Sequence, residues 1–213
     1  IIAQGSNLGI TRMAQIAMMH YKSLSWTSNW YIREETLKKA IDTLVNYHYH
    51  LPLSKFWGDG NFSSSDGQAV QISGKIRNAG YKSRLFGPNK LIEVYSWTSN
   101  QYSQYGSKVK PSGDRDATYV LDEILNNETD LEITEHTTDT AGYTYLVFAL
   151  FDLLGMKFSP RIRDLKDQKL FKIENKSYKR LDSRIAGSIN VDFILKHWDD
   201  FKRVAGSLKS GHV

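Results

Sequence analysis

The chain has 213 residues, 40% of them hydrophobic and 24% charged, with a formal net charge of +5. That composition suits a soluble globule large enough for one domain, or a domain with an appendage, and its mild basicity is compatible with a polyanionic partner without requiring one. There is no cysteine, so disulfides and thiolate metal sites are excluded and a reducing cytoplasm is the default setting. No signal peptide is visible, and no apolar run reaches the ~18 residues of a membrane span; the longest, near 145–156, is interrupted by Asp152. The opening "IIAQGSN" and the closing "SLKSGHV" read as the edges of a piece cut from a longer chain.

Residues 1–52 form a helical segment. "TRMAQIAMMHYKSL" places Met13, Ile16, Ala17 and His20 on one stripe. "REETLKKAIDTLVNYHYHLP" has acids early and Ile41, Leu44 and Val45 at helical spacing, with Pro52 ending it. From 53 onward the period changes. "LSKFWGDGNFSSS" and "GQAVQISG" read as two strands around a Ser-Asp-Gly turn, and "GPNKLIEVYSWTSNQYSQYGSKVKP" as one long strand or a pair. "DATYVLDEILNN" is a short amphipathic helix carrying Ala117, Val120, Leu121, Ile124 and Leu125. "LEITEHTT" is a strand. "YTYLVFALFDLLG" is a helix with Tyr143, Leu146, Val147, Leu150, Leu153 and Leu154 on its buried face and Gly155 as its cap. "MKFSPRIRDL" gives a further strand, and "VDFILKHWDDFKRVAGSL" a last helix. Two basic groups, Lys75, Arg77, Lys82, Arg84 and Lys90, and Arg161, Arg163, Lys166 and Lys169, read as solvated faces.

The order from 53 to 213 is β-β-β-α-β-α-β. Three antiparallel strands followed by strands joined through helices make a mixed sheet with parallel later members. This is the order of the ribonuclease H-like α/β fold. In that fold one catalytic carboxylate lies on the first strand and another just past the fourth, places held here by Asp59 and Asp139. Two acids brought together raise one another's pKa unless a divalent cation lies between them. Mg²⁺ or Mn²⁺ takes hard oxygen ligands and serves phosphodiester chemistry. Blander readings stand beside this one. Asp-Gly is an ordinary turn pair at Asp59 and at Asp66, and Asp139 is well placed to cap a helix. Glu135–His136 is a weak metal pair, because adjacent strand residues face opposite sides, and so is His48/His50, which share one face if extended and lie apart if helical.

"WGDGNFSSSDGQ", "TEHTTDTAGYTYLVFALFDLLGMKFSPRIRDL", "LSWTSNWYIREETLKKA" and "INVDFILKHWDD" together resemble the Tn3-family transposases of bacterial transposons. The resemblance implies a DDE/D core that uses Mg²⁺ to cut transposon ends and join the freed 3′-OH groups to target DNA. Its implied partners are the terminal inverted repeats and target DNA, in a nucleoid-associated, cytoplasmic bacterial protein dimeric when full-length, with no membrane association. The second catalytic Asp falls on Asp139. The first falls within "GDGNFSSSDG", where Asp59 is favoured as a mid-strand residue and Asp66 is the alternative; Asp59 and Asp139 are the expected metal pair. The family's third acid, a Glu on a later helix, has no counterpart. Glu174 is the only later glutamate, and Asp199 and Asp200 are shorter substitutes. These residues are therefore expected not to cleave DNA alone. An inert DNA-binding or assembly module that keeps the fold is the competing reading, and a ribonuclease H-like nuclease unrelated to transposition a third. Asn61-Phe62 and Tyr145-Leu146 depart from the family pattern, which has small hydroxyl residues and a polar Asp-His pair at those places.

Overall fold

The computed structural model describes residues 1–73, 76, 78–82 and 86–212. Lys75, Arg77 and Arg84 of the first basic group lie outside the described residues. Residues 1–50 are helical, as α1 (Ile2–Gly5), α2 (Ile10–Ile16), α3 (Tyr21–Tyr31) and α4 (Glu34–His50). Helix α4 has Glu34 and Glu35 in its first turn, acids that suit the positive end of the helix dipole, and His48 and His50 in its last. Of its expected apolar stripe only Val45 is buried, and Leu44 is exposed.

The central sheet contains β1 (Phe62–Gln71), β2 (Gly80–Tyr81), β3 (Lys90–Ser99), β4 (Gln104–Lys110), β5 (Glu135–Thr138) and β6 (Lys157–Phe158). The strands run in the order β4-β3-β1-β5-β6, and β2 pairs with the start of β3. The β1–β3 and β3–β4 pairings are antiparallel; β1–β5 and β5–β6 are parallel. Helix α5 (Asp122–Leu125) precedes β5, and α6 (Tyr145–Leu153) links β5 to β6. This is the mixed α/β, ribonuclease H-like architecture expected from the strand order, with helices at the N-terminus. A small parallel pair follows, β7 (Leu170–Lys172) with β8 (Ile185–Ser188), then α7 (Val191–Lys196) and α8 (Trp198–Lys209).

Three expectations are corrected, and the choice left open for residues 87–111, one long strand or a pair, falls to the pair. Ser-Asp-Gly at 65–67 is not a turn, because β1 pairs with β3 without a break from Ser63 to Gln71. The Gly is there for close approach: a Cβ on Gly67 would lie 2.4 Å from Glu93 Oε1. The 88–110 stretch is the pair β3 and β4, reversing through Tyr102, which adopts φ +63. The last helix is broken at His197, whose φ −106, ψ 13 leaves the helical region. Finally, α6 buries Val147 and Phe151, whereas Leu146 is 68% exposed.

Strand β3 alternates strictly, burying Leu91, Glu93, Tyr95, Trp97 and Ser99. That face meets Val45 of α4, Ile124 of α5, and Val147 and Phe151 of α6, together with Tyr105, Val120, Leu131 and Phe158, in one core. Each large apolar side chain so buried contributes about 1.5–3 kcal/mol. Trp97 Nε1 donates to the Val120 carbonyl at 2.9 Å, so its polar atom is satisfied inside. The opposite face, with Ser64, Asp66 and Gln68 on β1 and Ile92, Val94, Ser96 and Thr98 on β3, is exposed or half-buried. At the end of β4, Lys110 is fully buried, with Nζ 2.8 Å from Asp116 Oδ1 and 3.4 Å from Glu93 Oε2, and it donates to the Asp114 carbonyl at 2.9 Å. Lys82 is the second cation on Glu93, at 2.8 Å.

Candidate metal-binding site

The parallel ladder between β1 and β5 aligns Phe62 with Glu135, Ser63 with His136, Ser64 with Thr137 and Ser65 with Thr138. One step further along each strand stand Asp66 and Asp139. Strand β5 ends there, while β1 continues. Both residues fall on the outward parity of their strands, and both are exposed. Asp139 caps the 3-10 turn Thr140–Gly142, its Oδ1 accepting from the Ala141 and Gly142 amides at 2.9 and 3.2 Å. Asp66 Oδ1 accepts from the Gly67 amide at 2.8 Å. In each aspartate one oxygen is thus fixed by backbone N–H groups and the other carries no bond within the described residues. Both carboxylates, with Asp116, act through space to raise the Tyr95 phenol, behind the larger effect of burial.

Asp59 lies elsewhere. It is exposed and precedes β1 in a turn where Gly60 takes φ +77 and donates its amide to Asn100 Oδ1 at 3.0 Å. Asn61 is level with the start of β5, since its carbonyl accepts from the Thr134 and Glu135 amides. Four to five residues of strand, on the order of 15 Å at ~3.3 Å per residue, separate that level from Asp139. The expectation that Asp59 is mid-strand and approaches Asp139 is therefore corrected. The "GDG" triplet forms a turn before the strand, and Asp66 is the mid-strand aspartate, one residue past the rung that joins Ser65 to Thr138.

Beneath the pair, on the core side of the same two strands, lies a feature the sequence reading missed. His136 is fully buried. Ser63 Oγ is 2.7 Å from its Nδ1 and Ser65 Oγ 2.8 Å from its Nε2. Tyr105 donates its hydroxyl to Ser63 at 3.1 Å, and the Tyr95 hydroxyl is 2.8 Å from Ser65. The ring stacks on Phe151, with centroids 5.9 Å apart. Burial alone lowers the His136 pKa from 6.5 to about 3, so the imidazole is neutral, with one N–H donor and one acceptor nitrogen. Ser63 and Ser65 are two apart on one strand face, a spacing that by itself does not point to His136.

Glu135 points the other way from His136, held by Ser159 Oγ at 2.6 Å and Lys157 Nζ at 3.0 Å, which together keep its carboxyl below the usual range. His48 bonds Ser103, and His50 bonds Asp130. Glu174 is exposed and paired with Lys176; Asp199 pairs with Lys202 and Asp200 with Arg203. Among the described residues no group of three His, Cys, Asp or Glu could hold a metal ion. Two carboxylates, each with an oxygen to spare, offer the hard donors Mg²⁺ and Mn²⁺ take, and so fit part of such a site. Arg161 and Arg163, both exposed, flank it. Thr140 Oγ1 donates to the Arg161 carbonyl and accepts from the Arg163 amide, each at 3.1 Å, and the Arg161 amide donates to the Thr138 carbonyl at 2.7 Å.

The family model described as "Tn3 transposase DDE domain" matches residues 1–213. The chain belongs to that family. Over its whole length it is 48% identical to the transposase of transposon Tn2501 from Escherichia coli and 43% identical to that of Tn501 from Pseudomonas aeruginosa. It is 35% identical to the transposase of transposon gamma-delta from Escherichia coli strain K12. It spans 22% of each of these relatives. No solved structure gives a significant match. The DDE-domain family is one of enzymes, as the resemblance in the motifs implied. Among the described residues no helix of this Tn3-family domain is long and apolar enough to cross a membrane.

Proposed function

We propose that this Tn3-family domain supplies Asp66 and Asp139 as the first two metal-holding carboxylates of a transposase that cuts transposon ends and joins the 3′-OH groups to target DNA. The observation that carries the reading is the register: the last rung of the β1–β5 ladder is Ser65 with Thr138, and an aspartate follows on each strand. Backbone amides fix one oxygen of each carboxylate, which orients the other without using it up. Bound there, Mg²⁺ or Mn²⁺ would supply an activated hydroxyl and stabilise the leaving 3′-oxygen. The exposed position of the pair suits a substrate as broad as a duplex. Arg161 and Arg163, tied to the Asp139 turn through Thr140, are suited to contact the phosphates beside it.

A two-ion site needs a third carboxylate, and Glu174, Asp199 and Asp200 are engaged with their own lysine or arginine partners. We accordingly propose that the 213 residues bind DNA weakly and do not cut it unaided. Strand cleavage at a transposon end by a full-length transposase containing this chain tests the pair. Asp66→Ala and Asp139→Ala should each abolish cleavage, and Asp59→Ala should not. Cleavage that survives Asp66→Ala and is lost in Asp59→Ala would overturn the assignment. Metal-dependent nicking of supercoiled plasmid by the 213 residues alone, lost in Asp139→Ala, would show that they hold a complete site.

A further inference from the structure

We propose that His136 is a positioning residue: clamped between Ser63 and Ser65 across the β1–β5 boundary, it holds Asp66 and Asp139 at the spacing a divalent cation can bridge. The inference rests on the reading of those two aspartates as metal-holding.

The backbone ladder between β1 and β5 ends at Ser65 and Thr138. The pair stands one residue past that end, where nothing in the ladder resists their separation. Two carboxylates brought together here without a cation between them would repel and push the strands apart at this fork. The side-chain bridge lies directly behind it. His136 belongs to β5, while both of its hydrogen-bonding partners belong to β1, at 2.7 and 2.8 Å. Ser65 is covalently next to Asp66, so the bridge reaches the residue that sets the aspartate's backbone. The two outer hydroxyls extend the brace sideways, Tyr95 from β3 and Tyr105 from β4. Four strands are thereby cross-linked by side chains at the level of the site. Phe151 of α6 closes the ring off from the far side.

The arrangement specifies chemistry as well as shape. A neutral imidazole between two hydroxyls can donate from one nitrogen and accept at the other, and the tyrosine hydroxyls satisfy the remaining capacity of the serines. Glutamine offers the same donor and acceptor on a side chain of similar reach. Leucine offers neither, yet it leaves each serine its tyrosine partner. Substitution by leucine therefore removes the bridge without stranding a hydroxyl.

Mn²⁺ affinity of the chain, read from the paramagnetic signal of free ion, tests this without calling on cleavage. His136→Leu and Ser65→Ala should each weaken Mn²⁺ binding about tenfold, the low end of the span for groups that orient metal ligands, and His136→Gln should stay within about threefold of wild type. Circular dichroism establishes that each variant is folded, and Ser65→Ala, which deletes a single hydroxyl, serves should the leucine variant fail to fold. Wild-type affinity in folded His136→Leu or Ser65→Ala would overturn the inference, as would a loss in His136→Gln equal to that in His136→Leu. Asp66→Asn and Asp139→Asn separate the two readings. If both lose Mn²⁺ while the leucine variant keeps it, the positioning role alone falls. If neither loses it, the metal-holding pair falls and the positioning role with it.

Discussion

Ser65 and Thr138 form the last rung of the parallel β1–β5 ladder, and on each strand the residue that follows is an aspartate. The sheet brings the two residues to the same level, one step past that rung, without itself setting the gap between their carboxylates. The metal-binding consequence is direct. In a titration with Mn²⁺ followed by calorimetry, Asp66→Asn and Asp139→Asn should each reduce affinity by at least about tenfold, as loss of a carboxylate ligand removes both charge and donor. Asp59→Asn, at the other end of the strand, should leave affinity unchanged. Weakened binding in Asp59→Asn alone would point to a different pair.

The buried imidazole gives the fold a pH dependence of known sign. The His136 pKa is lowered to about 3 from 6.5, so between those values the unfolded chain binds a proton that the folded chain does not. Its contribution is fully present above pH 6.5 and is lost as pH falls toward 3, at up to about 1.4 kcal/mol per pH unit. His136→Gln lacks this titration. Urea unfolding of the two proteins at pH 7 and pH 5 should show the wild type losing more stability between them; equal losses would contradict a neutral buried ring.

Helix α6 separates buried from exposed positions sharply enough for a paired test. Phe151 is 1% exposed and stacks on Phe158 with centroids 4.6 Å apart. Phe151→Ala should cost about 3–5 kcal/mol. Leu146 is 68% exposed, and Leu146→Ala should fall within about 0.5 kcal/mol of wild type. Denaturant midpoints measure both, and similar costs would mean that the helix packs on another face.

Lys110 offers the charged counterpart. Fully buried, it answers Asp116 and Glu93 together. Lys110→Met removes the cation and leaves Asp116 without its partner, a change that costs about 3–5 kcal/mol where a buried pair is broken. The lower end is expected, because Lys82 still reaches Glu93. Thermal unfolding near the wild-type midpoint would show that Asp116 finds water instead.

Strand order and the position of Asp139 just past β5 were legible because they rest on long-range pattern: alternation in β3, apolar spacing in α6, and a polar run between them. The choice between Asp59 and Asp66 was not, since Asp-Gly occurs at both places and looks the same in isolation. What distinguishes them is a partner far away in the chain. Asn100 takes the Gly60 amide into a turn, and Glu93 lies against Gly67 so that the strand runs on through Asp66. Leu146 was misplaced for a related reason: an almost uniformly apolar helix has no polar face from which to read its orientation. The His136 bridge was invisible because serine, histidine and tyrosine carry no mark of burial until the strands that hold them are paired.

A sheet whose core, among the described residues, lies against one face should register each substitution with a two-residue rhythm. In a saturation library selected for folding, positions 63 and 65 on β1 and 91, 93, 95 and 97 on β3 would accept few replacements, and their neighbours 64, 68, 92, 94 and 96 many. Asp66 belongs to the permissive phase of that rhythm. Selected for folding it should vary as freely as Ser64, and selected for transposition it should not vary at all. The difference between the two libraries at that one position would separate what the sheet asks of the residue from what the chemistry asks.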